Sequence, residues 1–194
     1  MPSVLLTGAA GHIGSHTWLA LTEAGFSVIG VDDFSNSSPA VLGRLDAIFE
    51  RHRIDAAMHF AAYKSVDESS REPLAYYANN LGGLVAVCEA MRRHGTGRIV
   101  FSSSATVYGQ ADELPVREDT KLAPTNPYGQ TKLMPEQVLH DLGVASAGWQ
   151  SACLRYFNPV GAHPRGQIGE QPQGRPNNLM ACMWHRSPWA GADM

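Results

Sequence analysis

The sequence predicts an α/β protein built on a doubly wound parallel sheet, and three observations support this fold class. Short apolar segments alternate with helical segments along residues 3–155. The short segments are apolar on both faces, which is typical of parallel strands covered by helices on both sides. A glycine-rich turn, TGAAGHIGSH, joins the first strand to the first helix. A chain of 194 residues is long enough to bury a substantial core.

The first half of the chain begins with a strand and then alternates. Strands are predicted at residues 3–6, 27–31 and 55–61, where aliphatic residues cluster, and helices at residues 12–24 and 45–52, where apolar residues recur at helical spacing. Gly25 ends the first helix, because glycine adopts the left-handed conformation that closes helices. A polar loop at residues 32–38 separates the second strand from the second helix.

The second half of the chain continues the alternation. Helices are predicted at residues 73–94 and 127–142, and strands at residues 98–101 and 151–155. Thr125 or Asn126 can cap the last helix, and Pro127 suits its first position. From residue 161 onward Pro, Gly, Asn and Gln dominate without periodicity, so no packed element is expected there.

Composition and charge exclude several classes of partner. The chain has 15 basic and 18 acidic residues and no basic block, which argues against nucleic acid. No apolar run approaches the length of a membrane span, so we expect no membrane association. The three cysteines form no CxxC pair and the chain starts without a signal-like segment, which together predict a cytoplasmic location.

The glycine-rich turn has the spacing of a phosphate-binding loop. Gly8 would permit the tight turn, Gly11 would let backbone N–H groups approach a pyrophosphate, and Gly14 would let the helix lie close to the sheet. The start of the helix then offers unpaired N–H groups and a positive dipole end to an anion. Taken alone, such a motif is also compatible with a plain glycine turn.

Asp32 distinguishes these two interpretations. It stands at the end of the second predicted strand, where a carboxylate can accept hydrogen bonds from the ribose of an adenosine. The same carboxylate would repel a 2′-phosphate, and the residues that follow it, DFSNSS, contain no arginine. The sequence therefore predicts a dinucleotide site that takes NAD rather than NADP.

Tyr128 and Lys132 lie four residues apart, on one face of the predicted helix that starts at Pro127. A lysine ammonium near a phenol favours the phenolate, so we expect a lowered pKa for Tyr128 and a role as a general base. This spacing is also common in surface pairs. The context favours chemistry, because Ser102, Ser103 and Ser104 follow a predicted strand at the sheet edge where such folds bind ligands. At least one of these serines is expected only to cap the strand end.

As an ordered set, the motifs of this chain resemble the extended short-chain dehydrogenase/reductases, and within them the nucleotide-sugar epimerases. The resemblance covers about residues 3–180 and rests on the segments TGAAGHIGSH, VDDFSNSS, HFAAYKSV, YYANN, SSSATVYG, NPYGQTKLM, LRYFNPVGAH and PNNLM. It implies a Rossmann-like domain with a permanently bound NAD and the interconversion of UDP-glucose and UDP-galactose. In the implied mechanism Tyr128 takes the proton from the sugar 4-hydroxyl while hydride passes from C4 to NAD.

The resemblance also implies roles for individual residues. The implied catalytic residues are Tyr128, Lys132 and Ser104. The implied cofactor-binding residues are Gly8, Gly11, His12, Ile13, Gly14, Asp32, Asn36, Phe60, Ala61, Lys64, Asn79, Ser102, Tyr128, Lys132 and Phe157. The implied substrate-binding residues are Lys64, Ser104, Tyr128, Asn158, Asn178 and Leu179, although an Asn-Pro turn and a helix cap would equally explain the two asparagines. Ala105 and Thr106 stand where related dehydratases and decarboxylases have acidic side chains, which favours epimerisation.

The chain departs from the family pattern in three places. Around residues 43–49 it lacks the segment that holds the family's third strand, so we expect a sheet without that edge strand. After PNNLM it diverges, so we expect a nucleotide-binding domain at residues 1–160, a remnant of the substrate domain with an unmatched tail at residues 161–194, and a truncated or frame-shifted coding sequence. Pro135 falls inside the last predicted helix, where it removes a hydrogen bond to Thr131.

The sequence also leads to expectations about alternative functions, assembly, metal binding and His59. The alternatives to the implied epimerase are a non-catalytic NAD-binding remnant and a related epimerase of N-acetylated sugars. A homodimer through the helices at residues 73–94 and 127–142 is possible by the same resemblance. We expect no metal site, because His163 and His185 have no companion ligands at metal spacing, and we interpret His59 as a hydrogen-bonded core residue.

Overall fold

The computed structural model of the chain describes residues 1–32 and 40–161, and within residues 40–44 it describes the backbone only. Its strands are β1 (Ser3–Thr7), β2 (Ser27–Val31), β3 (Ala56–His59), β4 (Arg98–Ser104) and β5 (Gln150–Tyr156). Its α-helices are α1 (His12–Glu23), α2 (Ala40–Arg51), α3 (Val66–Arg71), α4 (Pro73–Tyr76), α5 (Gly82–Arg93) and α6 (Pro127–Ala145). A π-helical segment (Tyr77–Leu81) joins α4 to α5, and a 3₁₀ turn (Ala105–Tyr108) follows β4.

The strands form one parallel sheet in the order β2-β1-β3-β4-β5. Leu5 of β1 pairs with Ile29 of β2 on one side and with Ala57 of β3 on the other. The predicted fold class is thus confirmed. Within residues 1–32 and 40–161, β2 pairs with β1 alone, which fits the expected lack of an outer strand.

Helices cover the two faces of the sheet because the chain reverses direction at β1. The connection from β1 to β2 runs one way along the sheet, and all later connections run the other way. Right-handed crossovers therefore place α1 on one face and α2, α5 and α6 on the other. The main core lies under the second set, where thirteen buried side chains form one cluster: Leu5, Leu45, Phe49, Ile54, Ala57, Leu84, Val87, Cys88, Ala90, Met91, Ile99, Phe101 and Leu139.

Several predicted boundaries differ from the structure. The helix predicted at residues 73–94 is interrupted by the π-helical segment, which periodicity could not reveal. The strand predicted at residues 98–101 continues to Ser104, so all three serines lie within β4. The strand predicted at residues 55–61 ends at His59. Helix α3 and the 3₁₀ turn were not predicted, because both are too short for periodicity to show.

Helix α6 runs through Pro135, as the sequence predicted. The proline ring is fully buried. In the part of the chain that the structure describes, no helix is both long and apolar enough to cross a membrane.

Candidate active site

The candidate site lies at the carboxyl ends of β1, β3 and β4, beside the point where the chain reverses direction. In open parallel sheets this edge is where ligands bind, because neighbouring loops leave a crevice between them. The glycine loop follows β1, Phe60 and Ala61 follow β3, and Ser102–Ser104 end β4. The structure therefore brings the predicted cofactor and catalytic residues that follow or end β1, β3 and β4 to one edge.

The glycine loop is closely packed at two of its three glycines. Gly8 has a φ of +71°, and a Cβ there would lie 2.6 Å from the backbone nitrogen of Ala61. A Cβ at Gly14 would overlap the carbonyl oxygen of Gly8. A Cβ at Gly11 would meet only ordinary contact, 3.4 Å from that same oxygen. Gly8 is thus required by the turn, and Gly14 allows α1 to pack on the loop itself.

The start of α1 presents backbone donors that have no acceptor within the helix. Gly11 is the N-cap and supplies no side-chain cap. The first N–H groups of an α-helix, here those that follow Gly11, have no intrahelical acceptor and carry the positive end of the helix dipole. A pyrophosphate would satisfy these donors, so the start of α1 fits the phosphates of a dinucleotide.

Asp32 lies directly after β2, next to the loop. Its Oδ2 accepts a hydrogen bond of 2.9 Å from the backbone N–H of Ala10. This contact holds the carboxylate beside the glycine loop, as the sequence predicted. Its hydrogen bond to a ribose remains a prediction.

Tyr128 lies in the first turn of α6, close to the end of β4. Asn126 caps this helix by accepting a hydrogen bond from the N–H of Gly129 (2.8 Å), and the N–H of Tyr128 donates to the Ser69 hydroxyl (3.1 Å). Burial raises the pKa of Tyr128, and a hydrogen bond with the Ser104 side chain opposes this effect. The expected lowering of the Tyr128 pKa is therefore wrong for the chain without ligands, because desolvation of the phenolate outweighs the nearby polar groups.

Lys132 is buried one turn further along α6, with only 4% of its surface exposed. Its Nζ donates a hydrogen bond of 2.7 Å to the carbonyl oxygen of Ser102. The same nitrogen lies 5.1 Å from the ring centre of Phe101 and 5.8 Å from that of Tyr128. Burial lowers the pKa of Lys132 to about 8, because the charged ammonium has lost its water.

His59 is a core residue, as its position in a strand predicted. Its Nδ1 lies 2.7 Å from the Thr7 hydroxyl, and the ring stacks on Phe101. Burial, and secondly the charge of Lys132, lower the pKa of His59 to about 3. The imidazole is therefore neutral and does not serve as an acid near neutral pH.

Two buried polar clusters were missed by the sequence analysis. The first centres on Asn80, in the π-helical segment. Its amide nitrogen donates to the carbonyl oxygen of Tyr63 and to the Thr131 hydroxyl, both at 3.0 Å, and its amide oxygen accepts from the N–H of Tyr63 at 2.8 Å. Asn80 thus ties the loop after β3 to α6, one residue from Lys132. Its neighbour Asn79, which the resemblance favoured, donates to the Asn80 amide oxygen.

The second cluster joins α6 to the last two strands. Glu136 accepts hydrogen bonds from Ser103 (2.5 Å) and from Arg155, whose closest contact is 2.7 Å. Arg155 also donates to the Tyr108 hydroxyl. Glu136 is four residues beyond Lys132 and hence on the same helix face, a signal that could have identified it.

The remaining predicted residues have different outcomes. Phe157 is 61% exposed and stacks with Tyr108 after β5, and Asn158 beside it is also exposed. Lys64 lies exposed in the loop after β3. Asn36, Asn178 and Leu179 lie outside the described residues, as do His163 and His185, and their predicted roles stay predictions.

Comparison with known proteins shows the family. The model of the NAD dependent epimerase/dehydratase family matches residues 4–186. The chain is 49% identical to the UDP-glucose 4-epimerase of Bacillus subtilis, over 92% of this chain and 59% of that protein. It is 46% identical to UDP-glucose 4-epimerase 2 of Arabidopsis thaliana, over 92% of this chain and 58% of that protein. The chain thus spans less than two thirds of the length of these relatives.

Solved structures agree in fold. A UDP-glucose 4-epimerase from Stenotrophomonas maltophila, with bound NAD and formylated UDP-arabinopyranose, superimposes with a TM-score of 0.88 at 43% identity, over 94% of this chain and 60% of that one. The enzyme from Bifidobacterium longum, in complex with NAD⁺ and UDP, gives a TM-score of 0.84 at 43% identity, over 91% and 59%. With the glycine loop, the parallel sheet and the tyrosine–lysine pair all in place, the chain belongs to the NAD dependent epimerase/dehydratase family.

Proposed function

We propose that this chain carries the cofactor-binding and proton-transfer part of a UDP-glucose 4-epimerase, an isomerase of galactose metabolism that interconverts UDP-glucose and UDP-galactose. The observation that carries the proposal is the placement of Tyr128, Ser104 and Lys132 at the sheet edge that also holds the glycine loop. The relatives named above support the substrate class, since they are UDP-glucose 4-epimerases at 46% and 49% identity.

The proposed cofactor is NAD. The first-turn N–H groups of α1 would hold its pyrophosphate, and Asp32 would hold the adenosine ribose. When bound, NAD would supply reversible hydride acceptance at C4 of the sugar. Gly8 and Gly14 support this role indirectly, because the close packing that they allow aims the start of α1 at the crevice.

Tyr128 would remove the proton of the sugar hydroxyl, and Ser104 would hydrogen-bond the reacting oxygen. Because burial raises its pKa, Tyr128 holds its proton in the chain without ligands, and it becomes a base only when positive charge in addition to that of Lys132 is brought beside its ring. Lys132 contributes through its ammonium, 5.8 Å from that ring. Because the pKa of Lys132 is lowered, this ammonium loses its proton and its charge above about pH 8.

The two residues that follow Ser104 are not acidic, which supports epimerisation over elimination. Ala105 has no polar side chain, and the Thr106 hydroxyl donates to the Ser104 hydroxyl at 3.0 Å. A neutral threonine cannot serve as the acid or base that a dehydratase needs next to the sugar. The surroundings of Ser104 therefore suit simple oxidation and reduction at one carbon.

We further propose a homodimer in the cytoplasm. Apolar side chains that are 41–82% exposed lie on α4, α5 and α6, namely Leu74, Val85, Met134 and Val144. Such side chains on neighbouring helices are typical of surfaces that another subunit covers. Sedimentation of the purified chain would test this part of the proposal, and a monomer at micromolar concentration would contradict it.

The test of the proposed function begins with cofactor content. The 194-residue chain is purified, denatured and assayed for released NAD(H), and about one equivalent per chain is expected. Turnover of UDP-galactose is then measured, with Tyr128→Phe as the variant that should keep NAD and lose turnover. NAD without turnover would favour a non-catalytic NAD-binding remnant. A preference for UDP-N-acetylglucosamine would favour an epimerase of N-acetylated sugars, and folded protein without NAD would contradict the proposal.

A further inference from the structure

The first turn of α6 satisfies its backbone N–H groups in three different ways. Pro127 occupies the first helical position and has no N–H to satisfy. The N–H of Gly129 donates to the Asn126 side chain, and that of Gln130 donates to the Asn126 carbonyl oxygen. The N–H of Tyr128 lies between them and has no acceptor within the helix. Tyr128, the proposed base, therefore carries a donor that another part of the chain must satisfy.

Ser69 of α3 supplies that acceptor, from 59 residues earlier in the chain. Its hydroxyl oxygen accepts the N–H of Tyr128 at 3.1 Å and donates its own proton to the carbonyl oxygen of Val66 at 2.6 Å. The proton is thus directed along α3 and a lone pair towards α6. Because Ser69 is fully buried, bulk water does not reach its hydroxyl.

Helix α3 is itself held in place by the phenol of Tyr76, which is buried. A helix of six residues has little stability of its own. The Tyr76 hydroxyl accepts the N–H of Ser65, the N-cap of α3, at 3.0 Å and donates to the Glu68 carboxylate at 2.7 Å. The Ser65 hydroxyl in turn accepts the N–H of Glu68 at 3.3 Å. These contacts fix α3, so the Ser69 hydroxyl meets α6 from a fixed position.

Loss of the Ser69 hydroxyl would leave the Tyr128 N–H without its acceptor. An N–H that is shielded from water and unpaired is costly, so the first turn of α6 would shift or open until water reaches it. The phenol of Tyr128 lies on this turn, and its hydrogen bond with Ser104 would change with it. Misplacement of a reacting group by about 1 Å can lower a rate about 100-fold. The Ser69 contact therefore acts on the backbone of Tyr128 and, through it, on the proposed proton transfer.

We propose that Ser69 is a positioning residue for Tyr128: its hydroxyl holds the first turn of α6 where the phenol of Tyr128 faces Ser104 at the end of β4. The sequence analysis missed Ser69, because α3 is too short for periodicity to show and the contact joins residues far apart in the chain. This inference rests on the proposed function, since Tyr128 is the base proposed there.

The first experiment is amide hydrogen exchange of the ligand-free chain, which needs no turnover. The Ser69 contact should slow exchange of the Tyr128 amide at least about 100-fold relative to an exposed amide. Ser69→Ala should then speed this exchange at least about tenfold. Ser70→Ala is the matched control, because the exposed Ser70 hydroxyl also donates to Val66, at 3.3 Å, and its loss leaves the Tyr128 contact in place. Exchange of the Tyr128 amide at the rate of an exposed amide in the unchanged chain would overturn the proposal, and this result requires no variant to fold.

The second measurement follows the phenol of Tyr128 by NMR, with tyrosine labelled with ¹³C at Cζ and Tyr128→Phe to assign the signal. Burial raises the pKa of Tyr128 in the unchanged chain. Ser69→Ala should let water reach the phenol and so lower this pKa by at least about 0.5, whereas Ser70→Ala should not change it. A merely structural role of Ser69 would lower stability without moving the pKa in the folded chain. An unchanged Tyr128 pKa in folded Ser69→Ala would therefore overturn the proposal.

Turnover of UDP-galactose separates this inference from the proposed function. Ser69→Ala should keep its NAD and lower kcat at least about tenfold, with KM within about twofold of the unchanged chain. Ser70→Ala should match the unchanged chain in both constants. A kcat of Ser69→Ala within about twofold of the unchanged chain would overturn the inference. Absence of turnover in the unchanged chain would contradict the proposed function alone, and the amide and phenol of Tyr128 would then decide the role of Ser69.

Discussion

Replacement of Lys132 by methionine would test the buried ammonium directly. Lys132 is 4% exposed, and burial lowers its pKa from 10.5 to about 8. The folded chain therefore releases this proton near pH 8, whereas the unfolded chain keeps it until about pH 10.5. Between these values the unfolded state binds more protons, so the free energy of unfolding rises with pH. This gain in the free energy of unfolding is complete above pH 10.5, where Lys132 is neutral in both states. It is lost as the pH falls through 8.

The size of the effect follows from the two pKa values. The difference between the two pKa values means that the protonated Lys132 side chain destabilises the folded state by about 3 kcal/mol at low pH. Most of this should be recovered between pH 7 and pH 10. Lys132→Met removes the titrating group and also the hydrogen bond to Ser102, at a cost of about 1 kcal/mol that does not vary with pH. At pH 7 the variant should therefore be more stable by about 2 kcal/mol.

The assay is urea unfolding of the ligand-free chain and its variant at several pH values from 7 to 10. The thiols of Cys88, which is buried, and Cys153, which is partly buried, have pKa values that burial raises, and their titration is common to both proteins and cancels in the difference. Lys121→Met, at an exposed lysine, should show no pH-dependent difference from the unchanged chain. A stability difference between the chain and Lys132→Met that stays constant from pH 7 to 10 would refute the reasoning.

Three further substitutions have defined outcomes. Gly8→Ala should lower the free energy of unfolding by more than about 2 kcal/mol in the urea titration, because a Cβ there meets the Ala61 backbone at 2.6 Å. Gly25→Ala is the control: its positive φ strains an alanine but the Cβ has open space, so it should cost about 1 kcal/mol. Equal costs would mean that the close approach is unimportant. Asn80→Ala should cost about 3 kcal/mol in the urea titration through four lost hydrogen bonds, and a cost below about 1 kcal/mol would contradict its role in linking the β3 loop to α6. Pro135→Val should raise the melting temperature by restoring a helix hydrogen bond, and an unchanged or lower value would show that the buried ring packs too well to replace.

The fold was largely predictable because its signals are local. Each strand is a short apolar run, each long helix repeats at helical spacing, and the chain alternates between them. The lack of a strand beyond β2 within residues 1–32 and 40–161 agrees with the expectation that the family resemblance gave. The π-helical segment at residues 77–81 was not predictable, because one extra residue in a helical turn leaves the apolar pattern almost unchanged.

The places of the glycine loop, Asp32, Tyr128 and Lys132 in the fold were predictable, and the energetics at these residues were not. The glycine loop, Asp32 and the pair of Tyr128 and Lys132 all lie at the expected sheet edge. The direction of the Tyr128 pKa was predicted wrongly, because spacing reveals a neighbouring charge and not the loss of water around it.

By itself, the sequence determined the order of strands and helices, the turn that needs Gly8, and the presence of one tyrosine and one lysine on a shared helix face. These depend on neighbours within a few residues, where backbone geometry is fixed. Only the tertiary structure decided that Asn80 and Glu136 hold the site together, and that Lys132 is buried against Phe101. Those contacts join residues far apart in the chain, and burial and desolvation exist only once the sheet and helices have packed.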